Sequence, residues 1–328
     1  MDEDVFVLQG PTAISEWFSQ KFKKHIYVLS DTHDRKYGCK AKNGTFINVD
    51  ELLEMTIKDN PDKLMDFYFE AVYRNKYDTK AYDYKDSFMS DAFKAFENCF
   101  EVSKTNCKYK NVRFHYIDIR GSTDILLNID NLQSQIRYIY VNSDLKYLDT
   151  VKTLAQYLLD ELPELKMLFV QVKIMKQINN IRDSFIYEEL YRFLLDEGLP
   201  IYSMLKLILS ELLQLDVKSL SAIELEHFVV KCEKAIINFT SYLMDCYTLA
   251  RMFRSFKHGE DPKYIIIYVG GNHARLYERF SDFIGMQLVA KNESDPKMLN
   301  PGKSTEKIVS TKCIRVGLRL PFFHHAPE

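Results

Sequence analysis

Four short apolar runs punctuate the chain, at residues 25–30 (HIYVLS), 64–70 (LMDFYFE), 112–120 (VRFHYIDIR) and 263–271 (KYIIIYVGG). Each is rich in Ile, Val, Tyr or Phe and is bounded by polar or glycine residues. Runs that are nearly continuous, rather than strictly alternating, suit strands of a parallel sheet covered on both faces. Between the first two runs, Val49, Leu52, Leu53 and Ile57 follow helical spacing. The three segments predict a β-α-β unit with a right-handed crossover.

The pattern changes over residues 143–256. Val151, Leu154, Leu158, Leu159 and Leu162 recur at intervals of three and four, as do Leu165, Leu168, Phe169 and Val172 after Pro163, a residue at home in a first helical turn. Residues 201–215 form another apolar-periodic stretch. The SAIE run at 221–224 has capping-box spacing ahead of a long helix reaching about Phe256. The fold expected is α/β: a mainly parallel sheet flanked by helices, with a large helical insertion before the last core strand. The whole chain, 1–328, is read as a single domain, with the insertion at 143–258. Residues 75–86 and 291–307 read as loops, and 291–328 as loop and C-terminal extension.

Composition narrows the classes. At 328 residues, one large domain or one domain with a sizeable insertion is expected. Hydrophobic residues at 46% and charged residues at 27% exclude disordered and fibrous chains. Lys and Arg number 44 against 46 Asp and Glu, so no global basic field exists and no nucleic-acid partner is expected. The start, MDEDVFVLQG, is acidic and lacks an apolar core, which argues against a signal peptide. No stretch approaches the roughly 20 apolar residues of a membrane span. An intracellular location follows as the expectation. The six cysteines show no CxxC pair, so free thiols are expected and a finger-type zinc site is not.

Candidate chemistry sits after each strand, because an open parallel sheet binds ligands outside the carboxyl ends of its strands. The four runs end in Asp31-Thr32-His33-Asp34, in Glu70, in Asp118-Ile119-Arg120-Gly121 and in Gly270-Gly271-Asn272-His273. One rim would then carry Asp31, His33, Glu70, Asp118, Arg120, Asn272 and His273. A neutral imidazole accepts a proton near neutral pH, a carboxylate orients it, and an arginine holds an anion or developing negative charge. The same set suits a divalent metal, with Asp31, His33 and His273 as candidate ligands. Bland roles compete: Asp31 or Asn272 as a helix cap, the glycine pair as a turn, Glu70 and Arg120 as an ion pair. Tyr247, Arg251 and Arg254 share a helical face, which the pattern reads as a solvated polar face. Tyr77, Tyr82 and Tyr84 read as an exposed loop.

The ordered segments VLQGPTAIS, IYVLSDTHD, LMDFYFE, NVRFHYIDIRG, MDCYTLARMFR and IIIYVGGNHARLYERF resemble a group of uncharacterised proteins of large double-stranded DNA viruses of protists and algae. The resemblance covers nearly the whole chain and implies a location in the host cytoplasm or the virion. More distantly, the layout is similar to the superfamily of erythromycin esterases, ChaN-like haem-binding proteins and Tiki/TraB-type proteins. That resemblance implies a pocket of His33, Glu70, Arg120 and His273, with Gly270 to His273 fitting a Gly-x-x-His motif. The first motif departs from it: Asp31 stands where those proteins carry a glutamate near the histidine. Ser-Asp-Thr-His with Gly-Asn-His also resembles calcineurin-like metallophosphoesterases. Those need a Gly-Asp segment between the two motifs, which is absent here. The functional expectation is a hydrolase-like protein acting on an ester or amide bond of a small molecule or peptide, with a non-catalytic binding or virion-associated scaffold as the alternative. Among the substrate-binding candidates are Asp31, Asp118, Asn272, Tyr247 and Arg251.

Overall fold

The computed structural model describes residues 5–32, 39, 46–72, 87–100, 107–119, 122–142, 147–216, 221–256, 261–294 and 313–317. In chain order the elements begin with strands β1 (Val5–Gln9), β2 (Ala13–Ser19), β3 (Lys24–Asp31) and β4 (Phe46–Asn48). Helix α1 (Val49–Asp59), strand β5 (Met65–Val72), helix α2 (Phe88–Phe100) and strand β6 (Val112–Asp118) come next. Six helices follow: α3 (Asp124–Asn142), α4 (Leu148–Glu161), α5 (Leu165–Gln171), α6 (Ile174–Ile178), α7 (Ser184–Gln214) and α8 (Ala222–Phe253). The last elements are β7 (Tyr264–Gly270), α9 (Gly271–Phe283), β8 (Gln287–Glu293) and β9 (Cys313–Gly317). The chain forms two compact units, one of Met1–Tyr116 with Phe256–Glu328, the other of Ile117–Ser255.

The first unit is built on a mixed sheet in the order β6-β5-β7-β3-β2-β8. Its centre is parallel, with β7 between β5 and β3, and its far side is antiparallel across β2 and β8. The four apolar runs of the sequence thus become β3, β5, β6 and β7. Residues 291–293, read above as loop, extend β8 instead. A three-stranded sheet, β4-β1-β9, accompanies the larger one.

Strand alternation divides the larger sheet into two faces. Tyr27, Leu29, Phe67, Phe69, Phe114, Ile266 and Tyr268 share one face and one core with α1 and α2. From α1 that core takes Val49, Leu52, Leu53 and Ile57, the four positions whose spacing predicts the helix. On the opposite face lies α9, which buries His273, Ala274, Tyr277 and Phe280. Its Glu278 accepts a hydrogen bond from Ser15 of β2 at 2.6 Å. Between β1 and β2, Gly10 has φ +133°, and a Cβ there would lie 2.8 Å from Val49 Cγ1. Only glycine combines that backbone with that contact.

The expectation of six free thiols fails at four positions. Cys39 is bonded to Cys313 and Cys99 to Cys107, whereas Cys232 and Cys246 are free and buried. Partners 274 residues apart are brought together by the fold, and no sequence spacing encodes that.

The second unit is helical. Ser221 caps α8 as its spacing predicts: Glu224 N donates to Ser221 Oγ at 3.3 Å and Ser221 N to Glu224 Oε2 at 2.8 Å. Pro163 lies just ahead of Glu164, the N-cap of α5. Helix α7 is longer than its apolar repeat suggests, because it continues through Pro200 for 31 residues. Near that proline the Tyr242 hydroxyl of α8 donates to Leu194 O, and Gly198 leaves the space for its ring. Among the described residues no helix is long and apolar enough to cross a membrane.

Candidate functional site

At the carboxyl ends of the parallel strands, Asp31 of β3 is the register partner of Gly270 of β7. Gly270 is the N-cap of α9, so the strand turns directly into the helix, and His273 falls in its first turn. Glu70, near the end of β5 on the other flank of β7, reaches this turn. Gly270 N donates to Glu70 Oε2 at 2.7 Å, satisfying an amide at the helix start. Glu70 Oε1 lies 3.5 Å from His273 Nε2. A negative side chain is well placed at a helix N-terminus. The two side chains are 13% and 8% exposed, so the pair is nearly buried. Ser30 Oγ lies beside this turn: a Cβ on Gly271 would be 3.2 Å from it.

Asp31 belongs to the same rim but to the other face. Its Oδ2 accepts from the Tyr268 hydroxyl at 2.8 Å and its Oδ1 from Thr32 N at 2.6 Å. Both Asp31 and Tyr268 are fully buried. Burial pushes the Tyr268 phenol well above its ordinary range, and the Asp31 carboxylate pushes it further. Tyr268 therefore stays a hydrogen-bond donor and fixes Asp31 at the end of β3.

The structure thus gathers Asp31, Glu70, Asn272 and His273 at the ends of three neighbouring strands, with Asp31 turned from Glu70 and His273 by strand alternation. His33, two residues after Asp31, and Arg120, two after Asp118, lie outside the described residues, as do Asp34 and the tyrosine-rich stretch at 75–86. Asp118 is buried in β6. Asn272 Oδ1 accepts from Arg275 within α9. On α8, Arg251 Nη1 donates to the Tyr247 hydroxyl at 2.9 Å, so these two candidates do share a helical face. Arg254 donates to Gln177 Oε1 at 2.7 Å. Among the described residues no group of three or more His, Cys, Asp or Glu side chains is arranged to hold a metal ion.

A second set of buried charges escaped the sequence reading, because it lies at the amino ends of the same strands. Asp66 of β5 receives Arg113 Nε at 2.6 Å and Nη2 at 3.2 Å, and His115 Nε2 lies 2.9 Å from it. Burial would raise the Asp66 carboxyl, yet His115 and then Arg113 outweigh burial and hold it below its ordinary range. Tyr68 stacks on His115 with centroids 4.6 Å apart. Nearby on β2 and β3, His25 Nδ1 lies 3.3 Å from Glu16 Oε1. Burial lowers the Lys24 ammonium, which donates to Pro262 O at 2.9 Å. The alternation of charged with aromatic residues in MDFYFE and VRFHYID is the one sequence signal that marks this set.

No family model, no curated protein and no solved structure matches the chain.

Proposed function

We propose that the chain is a hydrolase-like protein that cleaves an ester or amide bond of a small molecule or peptide, with His273 as its acid/base and Glu70 as the carboxylate that orients it. The observation that supports this is the Glu70–His273 pair, positioned by the Gly270 amide at the turn from β7 into α9. His273 would take a proton from an attacking water, and Glu70 would compensate the charge gained by the ring. In the same proposal His33 shares the acid/base role and Arg120 supports it, with Asp31, Asp118, Asn272, Tyr247 and Arg251 as substrate-side candidates. This reading also keeps the helical run as an insertion ahead of β7, the viral resemblance, and a divalent metal as a candidate cofactor.

The near-complete cover over His273 favours a second reading, a non-catalytic binding or virion-associated scaffold. A panel of p-nitrophenyl esters, anilides and phosphoesters separates the two. Saturable turnover that falls by about 100-fold or more in His273→Ala, with an unchanged melting profile, supports catalysis. Absence of turnover across the panel, or full activity of the variant, contradicts it.

A further inference from the structure

We propose that Lys24 and Arg113 form an anion site at the amino-end edge of the larger sheet, which takes a phosphate group of a small ligand. The inference stands apart from the Glu70–His273 pair, which lies at the other end of the strands. Lys24 opens β3 and is 8% exposed. A buried ammonium has three N–H donors and a full charge to match. Among the described residues Lys24 Nζ has one acceptor, Pro262 O at 2.9 Å, and no carboxylate within ion-pair distance. Asp66 does not fill that place. Its oxygens take Arg113 Nε at 2.6 Å, Arg113 Nη2 at 3.2 Å and the Tyr68 hydroxyl at 3.4 Å, with His115 Nε2 at 2.9 Å. Arg113 commits Nε and Nη2 to that carboxylate, and Nη1 has no acceptor among the described residues. Two cations therefore hold unspent donors around one saturated carboxylate. Burial lowers the Lys24 ammonium; Asp261 and then Asp66 oppose burial, and Arg113 reinforces it, so these charges act on one another.

Strand pairing puts these donors on one edge. Lys24 Nζ meets Pro262 two residues ahead of β7, His25 N donates to Lys263 O at 2.7 Å, and Met65 N donates to Asn111 O at 2.9 Å. The starts of β3, β7, β5 and β6 therefore adjoin in that order. Ile265 of β7 pairs with Ile26 on one side and Asp66 on the other, so alternation sends Lys24 and Asp66 to the same face, and Arg113 meets Asp66 there. Lys263 and Lys110 are exposed and Lys63 is half-buried just ahead of β7, β6 and β5, against exposed Asp62 and Asp261. Asp261 is engaged by Phe256 N at 3.0 Å. The Phe256 ring covers the face of the Arg113 guanidinium at 3.7 Å, and the Arg113 side chain, 23% exposed, gives the way in. A tetrahedral oxyanion has acceptors enough for Lys24 Nζ and Arg113 Nη1 together, through charge-assisted hydrogen bonds. Its further negative charge suits the lysines around it.

The test uses the full chain, with inorganic phosphate and tripolyphosphate as probes against chloride at matched ionic strength. Titration calorimetry and the melting temperature read binding. Phosphate is expected to bind saturably and raise the melting temperature, and tripolyphosphate to bind about tenfold more tightly than phosphate. Lys24→Met removes the charge and keeps the length of the stem. It should weaken phosphate binding about tenfold or more, while folding without phosphate as stably as wild type. Because Lys24→Met can also fail to fold, the exposed Lys263→Gln serves as a second variant, expected to weaken tripolyphosphate about threefold. Wild type that binds neither probe, phosphate binding undiminished in Lys24→Met, or a rise in melting temperature that chloride reproduces overturns the proposal. If Lys24→Met does not fold, unchanged tripolyphosphate binding in Lys263→Gln overturns it. Binding of anionic vesicles or of an oligonucleotide, with neither phosphate probe bound, overturns it too and assigns the edge to a macromolecule.

Discussion

The two ends of the larger sheet hold the same chemical pair in different settings. At the amino end His115 meets Asp66 at 2.9 Å, and at the carboxyl end His273 meets Glu70 at 3.5 Å. The amino-end carboxylate is saturated: Arg113 grips it through two nitrogens, and Tyr68 stacks on the histidine. Phe256 lies over the Arg113 guanidinium at 3.7 Å. At the carboxyl end one Glu70 oxygen accepts from the Gly270 amide, and the other stands beyond an ideal hydrogen-bond length from the ring. Its histidine sits on the first turn of a helix rather than within a strand. A short contact reinforced by an arginine within a sheet suits a pair that maintains a fold, whereas a longer contact at a strand-to-helix turn beyond the strand ends suits a pair that exchanges a proton with a ligand.

Breaking the saturated pair should have the largest effect. Asp66→Asn leaves Arg113 and His115 facing a neutral group inside the protein and is expected to cost about 3–5 kcal/mol in denaturant unfolding followed by Trp17 fluorescence. It should also change the acid limb. The folded-state carboxyl of Asp66 lies below its unfolded value, so its contribution is present above the ordinary carboxylate range. That contribution is lost as pH falls through the lowered value. Wild type should therefore lose stability steeply on acidification, and Asp66→Asn should lose that part of the slope.

Near the rim, Gly10→Ala places a Cβ 2.8 Å from Val49 at φ +133°, which is expected to cost about 3 kcal/mol in the same assay. An unfolding free energy equal to that of wild type would contradict close packing of Gly10 on Val49.

The smallest effect belongs to an exposed reference. Partial burial would raise Glu54, but Lys58 and Lys108 hold it down to about 2. The two lysines are more than half exposed, so solvent screens the pairs and Glu54→Gln should cost less than about 1 kcal/mol. That contribution is complete above the unfolded carboxyl value of 4.5 and fades as pH falls toward about 2. A loss comparable to that of Asp66→Asn would remove burial as the factor that separates strong pairs from weak ones.

The parallel core was legible because β3, β5, β6 and β7 are covered on both faces and need unbroken apolar runs. Helix α1 and the start of α8 were legible from periodicity and capping chemistry. The antiparallel side was not. β2 reads AISEWFS because Ser15 and Glu16 are buried with partners, and β8 is largely exposed, so neither shows an apolar run. The short strands β1, β4 and β9 acquire their identity only by pairing with each other. At the rim, the strand-end rule located Glu70 and His273. It did not foresee that alternation turns Asp31 to the opposite face, nor that Tyr268 fixes it there. The disulfides were illegible because thiol pairing depends on distances set by the folded chain.

On the proposed function, the loose pair serves chemistry and the tight pair serves stability. Turnover per folded molecule, compared between Glu70→Gln and Asp66→Asn on a substrate the wild type hydrolyses, tests it most directly. Glu70→Gln is expected to lose about 100-fold at nearly wild-type stability, against near-normal turnover from whatever fraction of Asp66→Asn is folded. Normal turnover in Glu70→Gln, or an equal loss per folded molecule in both variants, would contradict it.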